Sequence, residues 1–221
     1  MNYTKNDKLV QQPRKLIVFG AGSGIGKEVA LQGAAAGYKV VGVVRHEMPA
    51  IAGIEYVQGS VTDSAFVAHI TKNCDAVVSA VGTSQYKQPV SLYSESAKAL
   101  IQGMSQSGTS RLIVLSAGGA TIEKNDPLIF RFVFKPILQR FLRHLYADML
   151  RMERLLETSD LDWTILRLSY LVDKLLTGKY RTAREAAVRY GWSIGRADAA
   201  HYILHNLDAV DDYRHHVCIA N

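Results

Sequence analysis

Glycines occupy every second position from 20 to 26, directly after a short apolar run. The run Leu16 to Phe19 predicts a buried strand, and the residues from Lys27 onward predict a helix. A helix start presents unpaired N–H groups and the positive end of its dipole, which favour a phosphate. Glycines carry no side chain that would hold a diphosphate away from those groups. The predicted diphosphate-binding residues are Gly20, Gly22, Ser23, Gly24, Ile25 and Gly26.

A second apolar run, Lys39 to Val44, completes the strand–turn–helix–strand context that makes this glycine pattern specific. Arg45 follows it, about twenty residues beyond the turn, where a dinucleotide-binding fold contacts the adenosine ribose. A carboxylate there would select the 2′-hydroxyl of NAD(H), whereas an arginine can form a fork to a 2′-phosphate. Arg45, with help from His46 and Lys27, therefore favours NADP(H) over NAD(H). The alternative is a surface arginine that merely follows a strand.

Two later strands end in residues suited to a bound cofactor. The run from Asp75 ends in the small residue Gly82, which lets a cofactor pass close to the backbone, so Ala80, Val81 and Gly82 would line the nicotinamide path. An ordinary turn glycine is the alternative for Gly82. The run from Arg111 ends in Ser116, which could donate to a substrate carbonyl or to the nicotinamide amide, or could simply end a strand. Ligands of open α/β sheets bind at this carboxyl edge.

Two less regular stretches, 120–140 and 170–195, are the predicted substrate region. The first contains the aromatic and basic run 128–136, placed where a lid over a planar anionic ligand would lie. A buried connector and a membrane-surface contact are the alternatives. The apolar stripe of one long helix follows, formed by Leu138, Leu142, Leu145, Met149, Met152 and Leu156.

Strands and helices alternate throughout, which predicts an α/β fold with a Rossmann-like, doubly wound parallel sheet. Residues 14–221 would form this single domain behind a polar leader, residues 1–13. Two isolated cysteines, Cys74 and Cys218, favour reduced thiols and a cytoplasmic protein. No membrane span and no metal-ligand spacing is expected.

The chain has 221 residues and a formal charge of +6, which could attract nucleic acid, an anionic membrane or an anionic ligand. No nucleic-acid-binding motif accompanies the basic residues, so we expect an anionic cofactor and a small planar acceptor as partners, and no nucleic acid. The expected assembly is a monomer or a small homo-oligomer.

Over roughly residues 15–221 the chain resembles the atypical short-chain dehydrogenases/reductases. Its nearest subgroup comprises small NAD(P)H-binding proteins that include biliverdin-IXβ/flavin reductase and NmrA-like proteins. The resemblance implies that Ser60 and Val61 lie against the cofactor, although Ser60 replaces an aspartate that often contacts adenine. It rests on the segments 20–26, 43–45, 59–63, 75–82, 111–116, 159–167 and 196–200.

The resemblance also exposes a catalytic departure, because the larger family uses a tyrosine and a lysine four residues later as its proton relay. The matching positions here are Leu145 and Met149, and a shift of one place gives Tyr146 with Leu150. Tyr146 is therefore only a weak candidate for a catalytic acid. The resemblance implies an NADPH-dependent reductase of a flavin- or quinone-like acceptor. The alternatives are a non-catalytic, NmrA-like sensor of NADP and a nucleotide-sugar epimerase or dehydratase.

Overall fold

Eight strands form one sheet in the order β3-β2-β1-β4-β5-β6-β10-β8, and two more form a small separate sheet. The computed structural model describes residues 14–122, 125–126 and 128–221, so the predicted leader, residues 1–13, lies outside the described residues. The strands are β1 (Lys15–Phe19), β2 (Lys39–Val44), β3 (Ile54–Gln58), β4 (Ala76–Ser79), β5 (Arg111–Ala117), β6 (Asp162–Leu168), β7 (Tyr170–Val172), β8 (Arg181–Arg184), β9 (Ser193–Gly195) and β10 (His215–Ala220).

Helices cover both faces of the large sheet. They are α1 (Gly24–Ala35), α2 (Ser64–Ile70), α3 (Leu92–Ser107), α4 (Lys135–Phe141), α5 (Arg143–Glu157) and α6 (Arg196–His205), with a π-helical turn at Phe130–Phe134 and a 3-10 turn at Val210–Asp212. Among the described residues, every helix is too short or too polar to cross a bilayer.

The sheet confirms the predicted doubly wound topology. All its neighbouring strands run parallel except β8, which pairs antiparallel with β10 at one edge. From β1 the chain adds β2 and β3 on one side, and then returns to add β4, β5, β6 and β10 on the other. The topological switch point, where ligands of such sheets bind, therefore lies between β1 and β4. The small sheet pairs β7 with β9 within the predicted substrate region.

The central strand β1 is buried on both faces, as its unbroken apolar run predicts. Leu16 and Val18 pack into a core layer that includes side chains of α1 and α6. Ile17 and Phe19 point the other way, into a layer that includes side chains of α3 and α5. This strand therefore provides a rigid base for the glycine turn that follows it.

The single long helix predicted from Leu138 to Leu156 is wrong. The chain breaks at Leu142, and the two helices α4 and α5 meet there. Polar anchors hold α4 over the loop after β5: the Lys135 ammonium donates to Asp126 at 2.6 Å, and the Gln139 amide donates to the carbonyl of Gly119 at 3.2 Å. Because these anchors tie α4 to that loop, α4 is held independently of α5.

Asp148 on α5 ties that helix to the start of α3. Its buried carboxylate accepts hydrogen bonds from the Tyr93 backbone N–H at 2.8 Å and from the Ser94 hydroxyl at 2.5 Å. Ser91, which precedes α3, makes no side-chain capping bond, so the aspartate of another helix serves as the cap. This contact fixes Tyr93 in the wall of the cavity described next.

Candidate functional site

A cavity of about 670 Å³ opens at the carboxyl edge of the sheet, beside the switch point. Its volume lies within the range of small-molecule and cofactor sites. The loops after β1, β2, β4 and β5 form its walls. It brings together twelve of the residues singled out from the sequence, namely Gly20, Gly22, Ser23, Gly24, Ile25, Arg45, Ser60, Val61, Ala80, Val81, Gly82 and Ser116.

The glycine turn passes so close to β4 that side chains are excluded. Gly20 has φ +81°, and a Cβ there would lie 2.6 Å from the Ala80 carbonyl oxygen. A Cβ at Gly26 would lie 2.3 Å from the Gly20 carbonyl oxygen. Gly26 is buried and is missing from the described residues that line the cavity, so its role here is to let α1 pack against the turn.

The first turn of α1 faces the cavity without competition from side chains. Ser23 precedes the helix in an extended conformation and makes no side-chain capping bond. The first turn contains no acidic residue, and Gly24 and Ile25 line the cavity. The N–H groups and the positive end of the dipole are thus available to an anion, which suits a diphosphate.

Arg45 and His46 line the cavity wall that follows β2. The backbone carbonyl of Arg45 accepts a hydrogen bond from the Gln58 amide at 2.8 Å, which holds the chain where it leaves the strand. Within the described ranges, no carboxylate forms an ion pair with the exposed Arg45 guanidinium. A cation in this position favours a phosphate over a bare ribose hydroxyl. Ser60 lies nearby, and its hydroxyl bonds that of Thr62 at 2.8 Å.

Apolar side chains surround the end of the cavity near β5 and β6. Tyr93 and Met149 contribute from helices α3 and α5, while Leu115, Leu168 and Leu171 come from strands. Flat apolar rings pack well in such surroundings, whereas a sugar would leave its hydroxyl groups unpaired. The two ends of the cavity therefore differ in chemistry, with one suited to anions and the other to a planar apolar group.

Ser116 joins the cavity wall to a buried ion pair that the sequence did not suggest. Its hydroxyl donates to Glu153 Oε1 at 2.6 Å, and Arg167 Nη2 lies 2.6 Å from Glu153 Oε2. Because the single hydroxyl hydrogen is directed at Glu153, the Ser116 oxygen can act toward the cavity only as an acceptor. The sequence placed Ser116 as a donor, and this geometry instead suits an amide N–H.

Tyr146 is absent from the described residues that line the cavity. It is buried on α5, and its hydroxyl oxygen lies 2.7 Å from where a Cβ at Gly119 would be. Burial raises the pKa of Tyr146 to about 12, so the phenol gives up its proton less readily than a free tyrosine. Tyr146 is therefore not among the described residues that would touch a ligand in the cavity.

Arg196 lines the cavity, although the sequence analysis did not name it as a site residue. Its Nε lies 4.0 Å from where a Cβ at Gly24 would be, and its Nη1 pairs with Asp173 at 2.6 Å. Arg196 opens α6, where the helix dipole disfavours a cation. A basic residue at a helix start was the signal that could have identified it.

These features agree with comparison to known proteins. The chain belongs to the NAD(P)H-binding family, whose model matches residues 20–209. The match confirms the expected nicotinamide dinucleotide at the level of the family.

Solved structures with the same fold include the oxidoreductase ylbE from Lactococcus lactis (18% identity, TM-score 0.77, 94% of this chain and 90% of that one). A short-chain dehydrogenase/reductase from Veillonella parvula, solved in complex with NADP, has 16% identity and a TM-score of 0.77, with 94% of each chain covered. A Rossmann-fold NAD(P)-binding family protein from Shigella flexneri has 19% identity and a TM-score of 0.69, with 94% of this chain and 93% of that one covered. At these identities the likeness shows the fold alone.

The packing of the glycine turn predicts that alanine destabilises the protein at position 26 and is tolerated at position 82. Gly26→Ala places a methyl group against backbone, so we expect the free energy of unfolding to fall by about 1–3 kcal/mol. Gly82→Ala is the matched control, because its new Cβ would meet no atom within 4 Å. The measurement is urea denaturation without added cofactor. Equal stability of the two variants would contradict the close packing of α1 on the turn.

Proposed function

We propose that this protein is an NADPH-dependent reductase that transfers hydride to a planar, flavin- or quinone-like acceptor. The observation that carries the proposal is the division of one cavity into an anion-binding end and an apolar end. The anion-binding end is formed by the uncapped start of α1 with Arg45 and Arg196. The apolar end is formed by side chains such as Tyr93 and Met149.

The anion-binding end has a group for each phosphate of the cofactor. Backbone N–H groups from Ser23 to Ile25 would bind the diphosphate, aided by the dipole of α1. Arg45 would bind the 2′-phosphate through its exposed guanidinium. Arg196 lies beside Gly24, so it would add a second cation next to the diphosphate. At the opposite end, the Ser116 oxygen would accept a hydrogen bond from the nicotinamide carboxamide.

The chemistry that fits this cavity is the transfer of a hydride between two stacked rings. Bound NADPH supplies the hydride, and the acceptor gains two electrons and takes its proton from water. The protein's contribution is to hold both rings in an apolar pocket at a reactive distance. Such a reaction needs no proton relay. Reduction of a ketone to an alcohol would require a proton relay. The short-chain dehydrogenases/reductases use a tyrosine and a lysine for this purpose, and Leu145 and Met149 occupy the matching positions here.

A second candidate is a sensor that binds NADP(H) without turning it over. The observations that favour it are the withdrawal of Tyr146 from the cavity and the engagement of the Ser116 hydroxyl with Glu153. Neither Tyr146 nor the Ser116 hydroxyl is therefore placed to give a proton to a bound ligand. An epimerase or dehydratase would also need acid–base groups at the sugar, so the same observations weigh against it.

The experiment that tests the proposal is NADPH oxidation with FMN, riboflavin, a quinone, biliverdin and an alkyl ketone as separate acceptors. We expect turnover with one or more planar acceptors and none with the ketone. Ser116→Ala should lower kcat and leave the affinity for NADPH within about threefold, since the cavity's anion-binding end is untouched. Tight NADPH binding without turnover on any acceptor would replace the reductase with the sensor.

The role of Arg45 predicts a charge-dependent change in cofactor preference. Arg45→Glu puts a carboxylate beside the 2′-phosphate, so the affinity for NADPH should fall by at least about a hundredfold while that for NADH changes less than about threefold. Arg154→Glu, on the exposed part of α5, is the control for the same change in net charge. Fluorescence titration with both cofactors provides the affinities. Equal losses for the two cofactors would remove Arg45 from the 2′-phosphate site.

A further inference from the structure

Helix α4 turns polar side chains toward the protein and exposes apolar side chains. Its polar residues Lys135 and Gln139 face the protein and bind the loop after β5. Its apolar residues Ile137, Leu138 and Phe141 are exposed. A helix of a globular domain normally turns its apolar stripe inward and its polar face to water.

The exposed apolar surface continues into the preceding turn of the chain. Leu128, Ile129, Phe132 and Val133 are all exposed as well. Together with the three residues of α4 they make an apolar ridge, defined here as the exposed side chains between Leu128 and Phe141. Exposed apolar patches of this kind mark sites of contact with a protein, a ligand or a membrane.

The exposed charges within the ridge sequence and just after it are positive. Arg131 and Arg140 within it and Arg143 just after it are exposed, and the sequence from 128 to 147 contains no aspartate or glutamate. Lys135 is neutralised by its buried pair with Asp126. The Arg131 guanidinium lies 5.7 Å from the centre of the Phe132 ring, so charge and apolar surface are interleaved.

We propose that the apolar ridge binds the surface of an anionic lipid bilayer. Its apolar side chains would enter the boundary between headgroups and acyl chains, and its arginines would stay at the level of the lipid phosphates. A second copy of this chain fits less well, because a two-fold contact would bring the same arginines of both copies together. Charge complementarity therefore selects the anionic membrane.

Helix α4, which carries part of the ridge, is also attached to the loop that follows a cavity-lining strand. The amide of Gln139 donates to the carbonyls of Gly119 and Ala120, in the loop that follows Ser116 and Ala117 on β5. Binding at a bilayer would therefore bring the apolar end of the cavity close to lipid. The membrane proposal does not depend on the reductase proposal, since it concerns a surface outside the cavity.

The test is flotation of the full chain with liposomes of phosphatidylcholine alone or with 30% phosphatidylglycerol. We expect binding to the anionic liposomes, and at least about tenfold weaker binding to the neutral ones. Phe141→Ser should lower the partition coefficient by at least about tenfold, because a buried phenyl group is lost. The control is Val210→Ser, whose side chain is as exposed as that of Phe141, at 71%. Arg140→Glu should weaken binding and Arg154→Glu should not.

Several results would overturn the proposal. They are the absence of flotation with anionic liposomes, equal binding to both compositions, and equal losses for Phe141→Ser and Val210→Ser. A dimer in light scattering that Phe141→Ser converts to a monomer, without flotation, would assign the ridge to a second copy instead. Circular dichroism of every variant verifies that it is folded. NADPH oxidation in the absence of lipid reports separately on the reductase proposal.

Discussion

The structure depends on the close approach of the turn after β1 to the end of β4. No side chain fits at Gly20 or Gly26, because a Cβ at either would lie within 2.6 Å of a backbone oxygen. This contact brings the start of α1 to the switch point of the sheet and aims its N–H groups into the cavity. The parallel sheet provides the open crevice. Because the turn beside it is rich in glycine, backbone atoms rather than side chains form that wall of the crevice.

A buried ion pair determines the chemistry of the opposite wall. Glu153 on α5 and Arg167 on β6 pair inside the protein, and the hydroxyl of Ser116 completes the hydrogen bonds of the carboxylate. Removing either charge would cost stability, because the remaining buried charge would lose this ion pair. The arrangement therefore rigidifies the wall and directs the hydroxyl hydrogen of Ser116 toward Glu153.

Local patterns in the sequence were sufficient for the fold class and for twelve of the residues that line the cavity. Apolar runs predicted the central strands, and glycine spacing with Arg45 predicted the anion-binding end, because each signal lies within a short stretch of chain. The break at Leu142 was missed because the apolar stripe continues through it, while its cause lies in contacts of Lys135 and Gln139 with a distant loop. The Glu153 network and the position of Arg196 likewise depend on tertiary contacts. Whether the predicted residues bind the cofactor stays a prediction.

Calorimetric titration of the full chain with NADPH and with NADH tests the central claim most directly. The claim is that the cavity at the switch point holds one dinucleotide and that its anion-binding end selects the 2′-phosphate. It predicts one NADPH bound per chain, with an affinity at least about tenfold higher than that for NADH. Absence of binding would show that the cavity does not serve as a dinucleotide site. Equal affinities would contradict selection through Arg45.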